Sequence, residues 1–378
     1  MRALVYLSAV PWASFAQRPH KFAEWFHAMH GGQVLWLDPY PTRLPQAQDF
    51  ARLRNTAREP AHPQPDWLRV LRVPAAPVEP LPGGVFLNRL LWRGVIDEVK
   101  RFARAQPHCE LVIGKPSQLA CELLKSGFPA HSFTRTVYDA MDDFPFFHRG
   151  LSKASVRETE RAMARTVEVT LVSSSRLADK FASLSRHVVL ARNACDPATL
   201  PPVDVLASLR EPGLVGYVGT IASWFDWDMV VGLATACPDR AFRLIGPVHG
   251  AVPSSLPANI ELRPACSHDQ AIREMSRFSV GLIPFRLNAL TACVDPVKYY
   301  EYRALGVPVV SSAFGEMPLH AAADPGVRLA TLADWALALD HAAEQRDAAV
   351  SIEIFRSRNS WAARFSSALQ PSSDSICP

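Results

Sequence analysis

Short apolar runs rich in Val, Ile and Leu alternate along this chain with amphipathic stretches of helical length, and that alternation restricts it to an α/β fold built on parallel sheets. Ala3 to Leu7 reads as a strand, residues 21–30 as a helix ended by Gly31-Gly32, and 33–37 as the next strand, which is a βαβ start. The same logic predicts strands at 110–113, 135–138, 169–173 and 188–191, and helices at 90–104, 118–125, 152–165 and 175–183. The Pro- and Arg-rich connection 39–82 is expected to be irregular, a long loop of the kind that carries function. A second series opens at 214–219, with strands at 242–245, 260–262, 280–283 and 307–310 and helices at 229–236, 268–275, 297–305 and 332–345. The expected architecture is two doubly wound, Rossmann-like α/β domains facing a central cleft, over 1–195 and 196–350. Ligands in such sheets bind outside the carboxyl ends of the strands.

With 378 residues, 48% apolar and 20% charged, the chain can bury two cores. No run of about 18 apolar residues is present and Arg2 leads straight into a strand pattern. A cytoplasmic protein is expected. Seven cysteines at 109, 121, 195, 237, 266, 293 and 377 are scattered without a C-x-x-C pair, so neither a disulfide framework nor a zinc site is indicated. Net charge is +4, unevenly spread: 26 Lys/Arg face 17 Asp/Glu up to Cys195, and 14 face 19 after it. The first half should therefore meet something anionic. It lacks the basic clusters and stacking aromatics of nucleic-acid readers, which leaves anionic lipid or an acidic glycan.

The chemistry concentrates in the stretch from Val294 to Val310. Lys298 and Glu301 sit one helical turn apart, so both project from one helix face. Asp295-Pro296 supply a capping residue and a proline at the helix start, where free N–H groups and the dipole favour phosphate. A lysine there can neutralise a diphosphate, and a glutamate can accept two hydrogen bonds from a ribose. Gly306 then ends the helix and Pro308-Val309-Val310 begins a strand. An ordinary helix with a solvated ion pair is the plain alternative.

Glu301, Ala304, Gly306 and Pro308 resemble the second half of the nucleotide-sugar signature of GT-B glycosyltransferases, where that glutamate holds the donor ribose. Lys298 resembles the lysine that meets the donor diphosphate in xanthan-type glucuronosyltransferases. Many retaining members place a further glutamate about two turns earlier. Here that position is Cys293, which leans the resemblance towards inversion. Gly216-Tyr217-Val218-Gly219-Thr220 ends the first strand of the second domain with glycines that let backbone approach a phosphate, and 224–228 resemble the aromatic and acidic tract that follows this strand in exopolysaccharide glycosyltransferases. Relatives often carry a basic clamp there, so Lys298 and Arg286 would carry the diphosphate charge. Phe285, after the strand 280–283, lies against the nucleotide base or belongs to the core. The resemblance also implies that a C-terminal helix, within 351–378, crosses back to the first domain.

In the first domain Asp139, Asp142 and Asp143 gather at a strand's carboxyl end, and clustered carboxylates repel, so one of them should stay protonated near neutral pH. Such a group suits a general base, with a solvated acidic turn as the alternative. Asp142 lies where the xanthan-type enzymes place their catalytic aspartate, and Asp139 is its rival. Trp12 and Gln17-Arg18-Pro19-His20 resemble the opening of the same broad family, with Arg18 and His20 contacting the acceptor or starting a helix. Arg149, Lys153, Arg157, Arg161 and Arg165 recur every four residues. They form a solvated face or dock on an anionic membrane. The whole implies transfer of a sugar from a nucleotide diphosphate donor, UDP-linked, to a lipid-linked or polysaccharide acceptor in exopolysaccharide or capsule assembly, with no cofactor or metal. A non-catalytic nucleotide-sugar or glycan scaffold and a nucleotide-sugar epimerase are the rival readings on the same fold.

Overall fold

The structure is a computed structural model that describes residues 2–44, 64–125, 133–331 and 334–369. It divides into two compact units, Met1–Ala191 and Arg192–Pro378. The first holds a seven-stranded, wholly parallel sheet in the order β3-β2-β1-β4-β5-β6-β7. Its strands are β1 (Ala3–Leu7), β2 (Val34–Leu37), β3 (Leu68–Leu71), β4 (Cys109–Ile113), β5 (Arg135–Ala140), β6 (Val169–Val172) and β7 (His187–Leu190). Every residue of β1 and β4 is buried, as central strands covered on both faces require. The helices are α1 (Arg18–His30), α2 (Gly84–Arg104), α3 (Gln118–Leu124), α4 (Gly150–Thr166) and α5 (Ser175–Ala182).

Helix α1 begins three residues earlier than its apolar periodicity suggests. Pro19 sits in its first turn, and the Gln17 backbone N–H donates to His20 Nδ1 at 3.2 Å. Gly31 ends it in the left-handed region at φ +62°. At Gly32 a side chain would strike the Arg2 carbonyl, so the glycine pair serves both the turn and the close return of the chain. Strand β3 lies inside the connection expected to be irregular. It is an edge strand with only Leu68 buried, so it leaves no apolar signature.

The second unit has six parallel strands in the order β10-β9-β8-β11-β12-β13: β8 (Leu214–Val218), β9 (Ala241–Ile245), β10 (Ile260–Arg263), β11 (Val280–Ile283), β12 (Val309–Ser311) and β13 (Val327–Leu329). Its helices are α6 (Leu206–Leu209), α7 (Trp227–Ala236), α8 (His268–Arg277), α9 (Val297–Ala304), α10 (Met317–Ala323), α11 (Trp335–Glu344), α12 (Ala349–Arg358) and α13 (Trp361–Leu369). Alternate residues of β8 feed two cores: Leu214 and Val218 join Met275, Phe278 and Tyr302, whereas Val215 and Tyr217 join Met229, Leu233 and Leu339. The segment expected to be one closing helix is two, α12 and α13, separated at Asn359-Ser360. Helix α12 packs on α9 of the second unit, where Arg356 Nε donates to the Ala304 carbonyl at 2.8 Å. No helix among the described residues is long and apolar enough to cross a membrane.

Candidate functional site

Both sheets reverse strand order beside their first strand, between β1 and β4 and between β8 and β11, and such switch points open crevices at the carboxyl ends. In the second unit α9 is pinned on three sides. Arg303 grips Asp324 through Nε at 2.8 Å and Nη2 at 3.0 Å, and Asp347 through Nη1 at 2.6 Å. Tyr302 accepts from the Val218 N–H at 3.2 Å at the end of β8, and its ring covers Gly281. Tyr299 stacks on His320 with centroids 3.9 Å apart. Lys298 and Glu301 share the remaining face. They are paired at 2.5 Å, with side chains only 24% and 10% exposed. A short ion pair in a half-buried position holds both groups in place for a ligand that offers an anion and hydroxyls.

The helix start differs from the expected cap. Pro296 occupies the capping position, and no side chain caps the helix. Asp295 instead turns inward. Its carboxylate accepts from the Asn193 N–H at 2.7 Å and Tyr300 Oη at 3.0 Å, and meets His320 Nε2 at 2.8 Å. The sequence gives no periodic signal for that network, because its partners lie 102 and 25 residues away.

Gly219 and Thr220 follow β8. The Gly219 N–H is spent on the Ile245 carbonyl at 2.9 Å, and a Cβ there would strike the Tyr217 hydroxyl, whose proton goes to the Thr220 carbonyl at 2.9 Å. Gly216 is demanded by the Phe278 ring rather than by a ligand. Phe285 is half-buried, 4.9 Å from the Phe314 ring, and its carbonyl accepts from Ser312 Oγ. Arg286 is exposed, 3.9 Å from Asp228.

In the first unit the three clustered carboxylates part ways. Asp139 is fully buried and taken up by Arg18, through Nε at 2.9 Å and Nη2 at 2.8 Å, and Tyr6 Oη donates to it at 3.3 Å. Asp143 pairs with Lys180 at 2.9 Å, and Lys180 also binds Glu160. Asp142 has no hydrogen-bonding or ionic partner among the described residues. Burial raises its carboxyl to about 7, with Arg18 opposing and Asp143 and Asp139 adding to the rise.

Asp139 is thus held by Arg18 within the first unit. Arg18 is 4% exposed and also donates to the Ala191 carbonyl at 2.7 Å. His20 is fully buried, 3.1 Å from the Trp12 carbonyl. Both Arg18 and His20 lie in the first turn of α1, as the helix-start alternative expected.

No protein-family model and no curated protein matches the sequence. Solved structures do match. Sucrose-phosphate synthase from Thermosynechococcus elongatus aligns at 15% identity over 96% of both chains with a TM-score of 0.64. WaaG, a glycosyltransferase involved in lipopolysaccharide biosynthesis, aligns at 14% identity over 97% of this chain and 95% of its own, TM-score 0.59. Anabaena HepE, solved with UDP and glucose, aligns at 13% identity over 96% of both, TM-score 0.57. The chain has the GT-B fold. Within this GT-B chain the second unit offers the Lys298–Glu301 pair beside the end of β8, and the first unit places Asp142, without a hydrogen-bonding or ionic partner among the described residues, just after β5.

Proposed function

We propose that this chain is a glycosyltransferase that moves a sugar from a nucleoside diphosphate donor, UDP-linked, to a lipid-linked or polysaccharide acceptor in cell-surface polysaccharide assembly. The observation that carries the reading is Asp142. Of the three neighbouring carboxyls it has no ion-pair partner among the described residues, and burial raises it to about 7, where a base is both ionised and strong enough to take a hydroxyl proton. The acceptor oxygen bonds to the anomeric carbon, its proton passes to Asp142, and the bond from that carbon to the diphosphate oxygen breaks with inversion. Lys298 and the start of α9 stabilise the departing diphosphate, and Glu301 accepts from the ribose hydroxyls. Gly219, Thr220 and Phe285 line the nucleotide's approach.

An anionic membrane surface fits the exposed residues of α4 and the turn before it. Arg157, Arg161 and Arg165 are exposed there, near exposed Phe146, Phe147 and Leu151. The deciding experiment measures sugar transfer from a panel of nucleotide sugars to a lipid-extract acceptor by parent and Asp142→Asn. Donor binding without transfer in the parent would leave only a binding protein, and transfer undiminished in the variant would remove Asp142 from the chemistry.

A further inference from the structure

The carboxyl ends of β1, β2 and β4 in the first unit enclose a small cavity, about 20 Å³, lined in part by Ser8, Asp38, Thr42, Lys115 and Ser117. That volume holds about one water and no sugar ring. Two features of its wall are unresolved within the protein. Thr42 is 3% exposed, yet its Oγ1 is buried with no hydrogen-bond partner. Lys115 reaches only the Tyr40 carbonyl, at 3.4 Å, and among the described residues no carboxylate lies within ion-pair distance of it. Lys115 is half-buried, and burial lowers its pKa, with Glu79 opposing and Arg43 adding to the fall.

Two acidic groups lie nearby, and Glu79 bears on Lys115 while its Oε2 is buried without a hydrogen-bond partner. Glu79 Oε1 accepts from Tyr40 Oη at 3.0 Å and the Gln118 N–H at 2.5 Å, and burial pushes its carboxyl towards the protonated form. Asp38 accepts from the Trp12 N–H at 2.9 Å and Trp36 Nε1 at 3.1 Å.

More positive charge converges from two other elements. Arg43 follows Thr42, and the Leu44 N–H donates to Ser152 Oγ at 3.3 Å, tying this loop to the first turn of α4. His148 stands just before that turn with its Nδ1 buried and unpartnered. Lys115 and Arg43 both bear on its imidazole, which together with burial is pushed down to about 4. Helix α4, 17 residues long, starts without a side-chain cap, so its dipole adds to the same field.

We propose that Lys115, Arg43, His148 and Thr42 form a phosphate-binding site in the first unit, and that it holds the phosphate of an anionic acceptor. The assignment of that phosphate to the acceptor rests on the glycosyltransferase reading; the site itself does not. One phosphate oxygen at the cavity mouth accepts from Lys115 Nζ and the Thr42 hydroxyl, an imidazole N–H faces another, and Arg43, which also donates to the Leu44 carbonyl at 3.1 Å, adds its charge.

The test is calorimetric titration of the full chain with inorganic phosphate and with pyrophosphate, carried out in Lys298→Ala so that the second unit contributes no anion site. Lys115→Met should weaken binding about tenfold or more, and Lys115→Arg should restore most of it. Thr42→Val removes an unpartnered hydroxyl at constant shape, so it should fold at least as stably and still lose about threefold in phosphate affinity. If Lys115→Met and Thr42→Val bind both anions as the Lys298→Ala protein does, the site is refuted. The probes carry neither donor nor sugar, so failed glycosyl transfer would not touch this result. Vesicles of phosphatidic acid separate the sources: Lys115-dependent capture marks a lipid phosphate, and Lys115-independent capture beside Lys115-dependent phosphate binding marks a soluble one.

Discussion

Asp142 differs from its neighbours in what it lacks. Arg18 and Lys180 neutralise Asp139 and Asp143, and the unpaired carboxyl absorbs the cost of burial by holding its proton up to about 7. The folded protein therefore binds more protons at this site than the unfolded chain between the ordinary carboxylate range and pH 7, so its contribution to stability falls as pH rises through that window, by at most about 1.4 kcal/mol per pH unit. His148, pushed the other way, has the opposite slope between about 4 and its ordinary value. Denaturant melts of Asp142→Asn should be flatter than the parent's on the falling side, and parallel curves would show that Asp142 titrates normally. The same variant should lose about 10²–10⁴ in turnover with donor affinity nearly intact. At the other site, Lys298→Ala should weaken UDP by about 1.5–3 kcal/mol and leave uridine nearly unchanged, because the lysine meets diphosphate. Calorimetry with both ligands checks it, and equal losses would take the lysine off the diphosphate.

Helix α9 is where packing sets the chemistry. Tyr302 lies against Gly281 so closely that a Cβ would come within 2.6 Å of its ring, and backbone supports both partners. Gly281→Ala should cost about 1–3 kcal/mol in thermal denaturation and shift α9, weakening UDP as well. A variant as stable as the parent would mean that the helix gives way easily. The Lys298–Glu301 spacing that defines this helix was legible because a helix repeats every few residues and the pair is local. Strands buried on both faces, such as β1 and β8, were legible for a similar reason: their apolar runs are continuous. Edge strands β3 and β13 were not, since β3 buries one residue and β13 has three in all. The pairing of Arg18 with Asp139 spans 121 residues and follows from tertiary packing alone, so no local pattern announces it. The corner around Lys115 escaped for the same reason: Thr42 and Lys115 are far apart in sequence and meet only beyond the strand ends.

At the scale of the whole chain, charge separates along the sequence: 26 basic against 17 acidic residues up to Cys195, and the reverse sign beyond it. A basic first unit concentrates anions near Asp142, whether a lipid surface or a phosphate-bearing acceptor. The exposed residues of α4 carry the surface part of that field, and the Lys115 corner carries the buried part. The two parts should respond differently to salt, because exposed charges are screened over about 8 Å at physiological ionic strength and half-buried ones much less. Replacing Arg157 and Arg161 by glutamine should reduce co-sedimentation with phosphatidylglycerol vesicles by about 1 kcal/mol per residue removed, and added salt should erase the difference. UDP binding, which the proposed function assigns to the second unit, should stay at the parent's value in the same variant. Vesicle binding that ignores both the substitutions and salt would mean that the exposed apolar side chains of α2, Phe86, Leu87, Leu90 and Leu91, dominate the contact by area rather than charge.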